Sequence, residues 1–251
     1  MNEMKRLLSF VRRAVDDYAL IDEGDKIAVG VSGGKDSLAL LAALAEMRRF
    51  YPKKFEVAAV TIDMGFEGGA DYSGIEALCK ELDVPYRVVP SDIAQIVFDI
   101  RKEPNPCSLC AKLRRGALNS AAKESGCTTV ALGHHFDDVV DTFMLNLFFE
   151  GRIGCFRPVT YLSRMDVRVI RPLIYTPEKE IRSFAKERDL PVVASKCPAN
   201  GNTQRENMKQ LLSTYEHQHK GLRHRIFGAI QRAHVDGFHL PGEQIPEEAD
   251  I

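Results

Sequence analysis

The sequence predicts an α/β protein in which helices cover a doubly wound parallel sheet. Apolar runs rich in Val, Ile and Ala alternate with helical patterns as far as Arg188, which is typical of βαβ units around a parallel sheet. Two turns that follow such runs, at Ser32 and at Gly133, contain glycine and a cluster of polar residues. Because ligands of these sheets bind at the carboxyl ends of the strands, we expect both turns to line one crevice.

The spacing of apolar residues predicts the helices and strands along the chain. Apolar residues recur at helical spacing from Leu7 to Tyr18, so residues 3–20 should form an amphipathic helix. Short β-branched runs then predict strands, and the stretches between them show helical periodicity. The predicted strands are 27–31, 55–62, 86–89, 128–132, 158–162 and 167–170, and the predicted helices between and after them are 38–47, 72–82, 91–102, 108–125, 136–149 and 177–188.

The C-terminal part of the chain is predicted to be mostly helical. Thr176 and Pro177 are suited to the N-cap and first turn of a helix, and 203–235 is helical with a break near Gly221. We divide the chain into an N-terminal helix packed on the core (1–25), the ligand-binding domain (26–200), a C-terminal helical segment (201–236) and a disordered tail (237–251).

Composition excludes several classes of function. A length of 251 residues suits one domain with a small appendage, and a net charge of -1 provides no overall attraction to nucleic acid. We find no apolar stretch that could span a bilayer and no signal-peptide pattern, so we expect a cytoplasmic protein without a membrane partner. In that reducing compartment the six cysteines are not expected to form a disulfide framework.

The turn from Ser32 to Ser37 reads Ser-Gly-Gly-Lys-Asp-Ser. Gly33 and Gly34 allow backbone N–H groups to approach a ligand, and the following helix start favours a phosphate. Lys35 adds a charge and the serines add hydroxyl donors. The motif has neither Walker spacing nor the Gly-x-Gly-x-x-Gly pattern. An ordinary tight turn would explain a bare Ser-Gly-Gly, but the full motif indicates phosphate binding.

A second polar turn follows the strand that ends near Leu132. Gly133 allows the chain to turn, and four polar side chains then lie near the helix start: His134, Asp137, Asp138 and Thr142. These residues could hold Mg²⁺ or position ATP phosphates, although carboxylates at this position also cap helices.

Two other carboxylates are candidate site residues. Asp36 would be repelled by a bound triphosphate unless a cation lay between them, so we expect it to bind Mg²⁺. Asp63 follows the second strand, where backbone groups near Ile62 and Met64 could hold an adenine. A solvated turn residue is the equally good alternative for Asp63.

The cysteines fall into two groups. Cys107 and Cys110 lie at a helix start, where the helix dipole favours thiolate, and Cys197 lies in a loop of turn formers. Such a set is compatible with zinc, a redox pair, a persulfide carrier, iron–sulfur ligation or incidental cysteines. Structural zinc usually takes four ligands, whereas three thiolates can hold a [4Fe-4S] cluster with one open iron. We expect the remaining cysteines to be small core residues: Cys79, Cys127 and Cys155.

These motifs together resemble a known family. The Ser32–Ser37 turn is similar to the PP-loop of the ATP pyrophosphatases, and the segment 133–138 is similar to the Gly-His-His-x-Asp-Asp of PP-loop enzymes acting on tRNA. Three further features occur in the order of the tRNA 2-thiocytidine synthetase (TtcA) family: Pro106 to Gly116, Arg171-Pro-Leu173 and Cys197. The resemblance covers roughly residues 1–215 and implies an adenine nucleotide alpha hydrolase-like fold.

The resemblance implies an ATP-dependent tRNA sulfurtransferase. Members adenylate C2 of cytidine 32 in tRNA and replace the activated oxygen with sulfur, using ATP, Mg²⁺ and a three-cysteine [4Fe-4S] cluster. It implies tRNA and a sulfur donor, such as a cysteine desulfurase or free sulfide, as partners, and it is compatible with a homodimer. Carried over by position, the ATP contacts are Ser32, Gly33, Gly34, Asp36 and Ser37, the cluster ligands are Cys107, Cys110 and Cys197, and the phosphate or tRNA contacts are Arg114, Arg115 and Arg171.

The sequence departs from the family pattern at several points. Asp141 stands where the family often carries Glu or Gln, and Ala194 replaces the first cysteine of a Pro-Cys-x-x-Cys segment. The chain has no recognisable tRNA-binding extension. The paired zinc-binding C-x-x-C modules of the tRNA 2-thiouridine 54 relatives are also missing, which argues against those relatives.

A basic stretch lies near the C-terminus. It could gather cations on one helix face for tRNA, with Lys220, Arg223 and Arg225 as the central contacts, or it could be an ordinary solvated helix. Its basic residues are Arg205, Lys209, Lys220, Arg223, Arg225 and Arg232.

Two other functions remain open from the sequence alone. The same chemistry could act on a small molecule or a free base, which would suit the even net charge. The protein could also be a nucleotide or cluster sensor without turnover, but two intact phosphate-side motifs argue against that.

Overall fold

The sheet positions the candidate crevice. The computed structural model describes residues 3–102, 106–194, 196–198 and 204–243. Its six strands lie in the order β3-β2-β1-β4-β6-β5, so β1 and β4, the two strands that precede the polar turns, are neighbours. The strands are β1 (Asp25–Gly30), β2 (Phe55–Asp63), β3 (Tyr86–Pro90), β4 (Thr129–Ala131), β5 (Val159–Leu162) and β6 (Val167–Ile170).

The predicted parallel sheet is correct except at one edge. Neighbouring strands from β3 to β6 run parallel, whereas β5 pairs antiparallel with β6. The physical reason is the short connection, because residues 163–166 can close a hairpin but cannot form the long crossover that parallel strands need.

Helices cover both faces of this sheet. Alternate strand residues point to opposite sides: Ile27 and Val29 lie in the larger apolar cluster, and Ala28 lies in the smaller one, with Leu118. The helices are α1 (Glu3–Asp17), α2 (Lys35–Met47), α3 (Ser73–Glu81), α4 (Pro106–Glu124), α5 (Phe136–Phe149), α6 (Glu178–Glu187), α7 (Gln204–Gln218) and α8 (Leu222–Arg232), with a π-helical segment at Gln95–Arg101 and a 3₁₀ turn at Val235–Gly237. Within the described ranges, no helix combines the length and apolar character needed to cross a membrane.

The C-terminal segment differs from the sequence expectation in part. The break near Gly221 is confirmed, because α7 ends at Gln218 and α8 begins just after Gly221, which has a positive φ of 81°. The tail expected to be disordered from residue 237 is packed at its start. Phe238 is fully buried, and Gln231 Nε2 donates to the His239 carbonyl at 2.8 Å. Residues 244–251 lie outside the described part of the chain.

Candidate functional site

A crevice of about 510 Å³ opens at the carboxyl ends of β1 and β4. It is closed on one side by α4, which contributes Arg114, Arg115 and Leu118. Both turns singled out in the sequence contribute to it, as does the more distant Arg205. The residues expected at this site that line the crevice are Ser32, Asp36, Ser37, Gly133, His134, Thr142, Arg114, Arg115 and Arg171.

The first turn has the geometry of an anion site. Gly33 adopts a φ of +84°, a conformation that disfavours side chains, and a Cβ there would lie 3.0 Å from Val193 Cβ. Ser37 Oγ donates to the Gly34 carbonyl at 2.9 Å and accepts from Ser32 N at 3.1 Å. These bonds hold the loop in shape while the first N–H groups of α2 remain suited to a phosphate.

The second turn packs directly on the first. A Cβ at Gly133 would lie 3.1 Å from the carbonyl carbon of Asp36 and 3.1 Å from Ser37 N. A side chain at this position would crowd two backbone atoms of the first turn, so glycine favours the close approach by which the two turns pack together.

Lys35 is held by two carboxylates. Its Nζ lies 2.9 Å from Asp36 Oδ1 and 2.8 Å from Glu178 Oε1 at the start of α6. Burial disfavours the charged forms of both Lys35 and Glu178. The hydrogen bond from Lys35 and its positive charge nevertheless lower the pKa of Glu178 to about 2. Glu178 was not recognised in the sequence, because 143 positions separate it from Lys35.

The carboxylates expected to bind Mg²⁺ each lie within 4.0 Å of the buried His135 ring. Asp138 forms a capping box with His135, accepting from the His135 N–H at 3.0 Å, and its other oxygen lies 3.0 Å from Arg205 Nη1. Asp137 accepts from the Glu178 N–H at 2.7 Å and pairs with Arg223. Asp36 is the member of this trio that lines the crevice. In the described ranges, no three His, Cys, Asp or Glu side chains are grouped to hold a metal ion.

His134 and Arg171 form the inner end of the crevice with Phe156. The His134 ring centre lies 4.8 Å from that of Phe156, and the Arg171 guanidinium lies 5.2 Å from the same ring. Burial, and next the Arg171 charge, lower the pKa of His134 to about 4, so the imidazole is neutral near pH 7. Among the described residues, neither His134 Nδ1 nor Arg171 Nε, both buried, has a hydrogen-bond partner.

Arginines give the crevice its charge. Arg171 is 7% exposed and donates to the Arg157 carbonyl at 2.5 Å. Burial, with a smaller effect of Arg115, lowers the pKa of Arg171 to about 10. Arg205 donates to Asp138 and Thr142 at 3.0 and 3.1 Å. Sequence reasoning placed Arg205 only in the C-terminal basic stretch, so its position in the crevice was missed.

Asp63 is the last residue of β2, next to the turn that follows the strand. Its Oδ1 accepts from the Gly65 N–H at 3.2 Å, and the crevice is lined at this level by Ile62. Its side chain is half-buried and faces the following turn, and an adenine contact near Asp63 stays a prediction.

Three thiols gather near the start of α4. Cys107 is exposed, and Cys110 and Cys197 are half-buried. Burial raises the pKa of the Cys110 thiol, and Arg114, Cys197 and Cys107 lie close enough to act on it as well. The segment before Cys197 is anchored on the phosphate turn, since Val193 N donates to the Gly33 carbonyl at 3.0 Å.

The other cysteines are mostly core residues, as expected. Cys79 and Cys127 are buried. Cys155 differs, because it lies between α5 and β5 and is only half-buried. Its Sγ lies 3.5 Å from the Val139 carbonyl, and burial raises the pKa of the thiol to about 12.

The basic C-terminal residues do not share one exposed face. Lys220 is exposed, and Arg225 donates to the Lys220 and His219 carbonyls at the end of α7. Arg223 is half-buried instead, with Nη1 2.8 Å from Asp141 Oδ1. Arg223 is therefore not a free cation for a tRNA contact, because the fully buried Asp141 carboxylate holds its guanidinium.

Comparison with known proteins agrees with this geometry. Residues 4–214 match the family model of the PP-loop domain. The chain is 40% identical over 229 residues to tRNA-cytidine(32) 2-sulfurtransferase of Geobacter sulfurreducens, covering 90% of this chain and 89% of the relative. The same-named protein of Geobacter metallireducens is 38% identical over 250 residues, with 98% and 96% covered.

A solved structure of a tRNA thiolase has a similar fold. The U34-tRNA thiolase NcsA from Methanococcus maripaludis, determined with its [4Fe-4S] cluster, superposes with a TM-score of 0.74 at 28% identity. The match covers 94% of this chain and 80% of the thiolase. The fold, the phosphate turn and these relatives show that the chain belongs to the PP-loop family and, within it, to the tRNA-cytidine(32) 2-sulfurtransferases.

Proposed function

We propose that the protein is an ATP-dependent sulfurtransferase that replaces the C2 oxygen of cytidine 32 in tRNA with sulfur. The observation that carries the proposal is the double role of α4. Its start bears Cys107 and Cys110, and one turn later Arg114 and Arg115 line the crevice that holds the phosphate turn. Cys107, Cys110 and Arg114 are spaced i, i+3 and i+7 and so share one face of α4, where Arg114 acts on the Cys110 thiol. Activation by ATP and delivery of sulfur can therefore meet along one face of one helix.

The first half-reaction uses the crevice. The base oxygen attacks the α-phosphorus of ATP, the bond to the bridging oxygen breaks, and pyrophosphate leaves. The Ser32–Ser37 turn would hold the pyrophosphate through backbone N–H groups, with Lys35 as a point charge. Arg114, Arg115 and Arg171 would stabilise the negative charge that develops on the phosphates.

Asp36 fits a magnesium ligand better than Asp137 and Asp138, since it lines the crevice. Its ion-pair partner is the Lys35 side chain beside it, whereas the other two carboxylates are held by partners on α6, α7 and α8. Bound Mg²⁺ would neutralise charge on the leaving pyrophosphate. His134, neutral at pH 7, suits a hydrogen-bonding role toward base or phosphate rather than a charged one.

The second half-reaction uses the thiols. A sulfur nucleophile attacks C2 of the adenylated base, the C–O bond breaks, and AMP leaves with the oxygen. Cys107, Cys110 and Cys197 are the proposed ligands of a cluster with one open iron, since three thiolates are a donor set that such clusters accept and Cys107 and Cys197 both lie near Cys110. When bound, such a cluster would supply sulfide at that iron.

The proposed reaction requires a sulfur donor and a tRNA. A cysteine desulfurase or free sulfide would provide the sulfur, the chain would work in the cytoplasm, and a homodimer is the proposed assembly. Lys220 and Arg225 are proposed to contact the tRNA backbone. If so, tRNA affinity falls with rising salt, since each phosphate contact releases counterions.

The proposal is tested with anaerobically purified protein, ATP, Mg²⁺, sulfide and tRNA. We expect pyrophosphate, AMP and 2-thiocytidine in equal amounts with tRNA carrying cytidine 32, and no thiolation when uridine replaces that base. Pyrophosphate release with free cytidine but not with tRNA would instead identify a small-molecule enzyme. ATP binding without any release would identify a sensor.

A further inference from the structure

A partly buried ion-pair network joins α8 to the phosphate turn. Arg223 Nη1 lies 2.8 Å from Asp141 Oδ1 and 3.3 Å from Asp137 Oδ1. The Arg223 side chain is 14% exposed and the Asp141 side chain is fully buried. Arg223 is itself fixed, because its backbone N–H donates to Glu216 Oε2 at 2.9 Å.

The network continues from Asp137 to Lys35. Asp137 uses one oxygen for Arg223 and the other for the Glu178 N–H at 2.7 Å, at the first residue of α6. The Glu178 carboxylate then lies 2.8 Å from Lys35 Nζ. Two intervening groups, one on α5 and one on α6, thus connect Arg223 on α8 with the charge on the phosphate turn.

Two roles for Arg223 can be separated in this arrangement. Toward Asp141 it balances a buried charge: burial raises the pKa of Asp141, and the Arg223 charge opposes that rise. The other Asp141 oxygen is buried and has no hydrogen-bond partner among the described residues. Toward Asp137 it fixes a carboxylate that orients the first turn of α6.

We propose that Arg223 is a positioning residue for ATP binding, which acts through Asp137 and Glu178 to hold Lys35 at the phosphate turn. The inference rests on the proposed use of ATP at this crevice. Without Arg223, Asp137 lies beside Asp141 without its compensating cation, and its bond to the Glu178 N–H is no longer fixed from the α8 side. Lys35 then samples more positions and binds phosphate less well.

The test separates the two roles with a double variant. Arg223→Met alone leaves Asp141 charged and unpaired, so it should lower the melting temperature and could fail to fold. Arg223→Met combined with Asp141→Asn removes the buried charge with little change of shape. We expect the double variant to recover wild-type stability but to bind ATP about tenfold more weakly. Asp141→Asn alone should bind ATP within twofold of wild type.

A second cycle tests the route to Lys35. In a Lys35→Met background, adding the Arg223→Met and Asp141→Asn pair should cause no further loss of ATP affinity, because the end point of the network is already absent. Arg232→Met, on the exposed end of the same helix, is the matched control and should leave ATP affinity unchanged.

Each outcome has one meaning. Wild-type ATP affinity in the stable double variant would overturn the positioning role and leave the proposed function intact. The same conclusion would follow if the double variant lowered ATP affinity in the Lys35→Met background as much as it does in the wild-type background. An Arg223→Lys variant should recover part of the affinity, since one ammonium can still pair with Asp137. Failure of the wild-type protein to bind ATP would instead overturn the proposed function.

Discussion

Replacing Gly133 by alanine should damage the phosphate site from the turn that follows β4. The added Cβ would lie 3.1 Å from both the Asp36 carbonyl carbon and Ser37 N, which is closer than ordinary van der Waals contact. Both neighbours are backbone atoms at the start of α2, so they cannot rotate away as a side chain could. Either β4 or the phosphate turn must shift by a few tenths of an ångström.

The expected loss of stability can be taken from overpacked sites in other proteins. Forcing one extra carbon into a packed site costs about 1–3 kcal/mol, and in a domain of this size each kcal/mol lowers Tm by roughly 2–4 °C. Because the displaced atoms belong to the anion site, ATP affinity should fall by about tenfold or more, beyond the effect on stability.

The assay combines thermal unfolding with equilibrium ATP binding. Gly116→Ala is the matched control: the same substitution meets no atom within 4 Å, on α4. It should raise stability by roughly 0.5–1 kcal/mol, as expected for alanine in a helix. If Gly133→Ala kept wild-type stability and ATP affinity, the two turns would not depend on the close packing described above.

Three further predictions address the carboxylates and thiols. Asp36→Asn should reduce pyrophosphate release at saturating ATP and Mg²⁺ by at least about 100-fold with unchanged circular dichroism; full turnover would exclude its role. Alanine at Cys107, Cys110 or Cys197 should each abolish bound iron in anaerobically purified protein, and zinc at full occupancy in its place would contradict the cluster. Glu178, with a folded pKa of about 2 against an ordinary value of 4.5, contributes stability above pH 4.5 that is lost as pH falls toward 2. Glu178→Gln should therefore flatten the acid limb of stability measured by urea unfolding, and an unchanged limb would refute the Lys35 pairing.

Local patterns were sufficient for the elements and for both turns. The β-branched run before Ser32 predicted β1, and the glycine pair predicted the turn, because each depends on neighbours within a few residues. The antiparallel pairing of β5 with β6 was not predicted, since periodicity does not report strand direction.

Long-range pairings were beyond the reach of local patterns. The charge run containing Arg205 and Arg223 suggested an exposed face, but partners more than 60 positions away hold both side chains. Asp138 shows the opposite case. Its capping role was visible as an alternative, and only the distances to His135 and Arg205 favoured it.

The packed start of the tail was missed for a similar reason. Prolines and acidic residues suggested disorder from residue 237, yet Phe238 fills a site in the core. A single aromatic residue beyond the last helix gives no periodic signal, although its burial stabilises the fold.

The most direct measurement of the central claim is mass spectrometry of tRNA nucleosides from cells that lack the gene. We expect 2-thiocytidine to disappear, to return with the wild-type gene, and to stay absent with Cys110→Ser or Asp36→Asn produced at equal protein levels. Undiminished 2-thiocytidine in the deletion strain, or full recovery with the Cys110→Ser variant, would contradict the assignment of this chain as the sulfurtransferase.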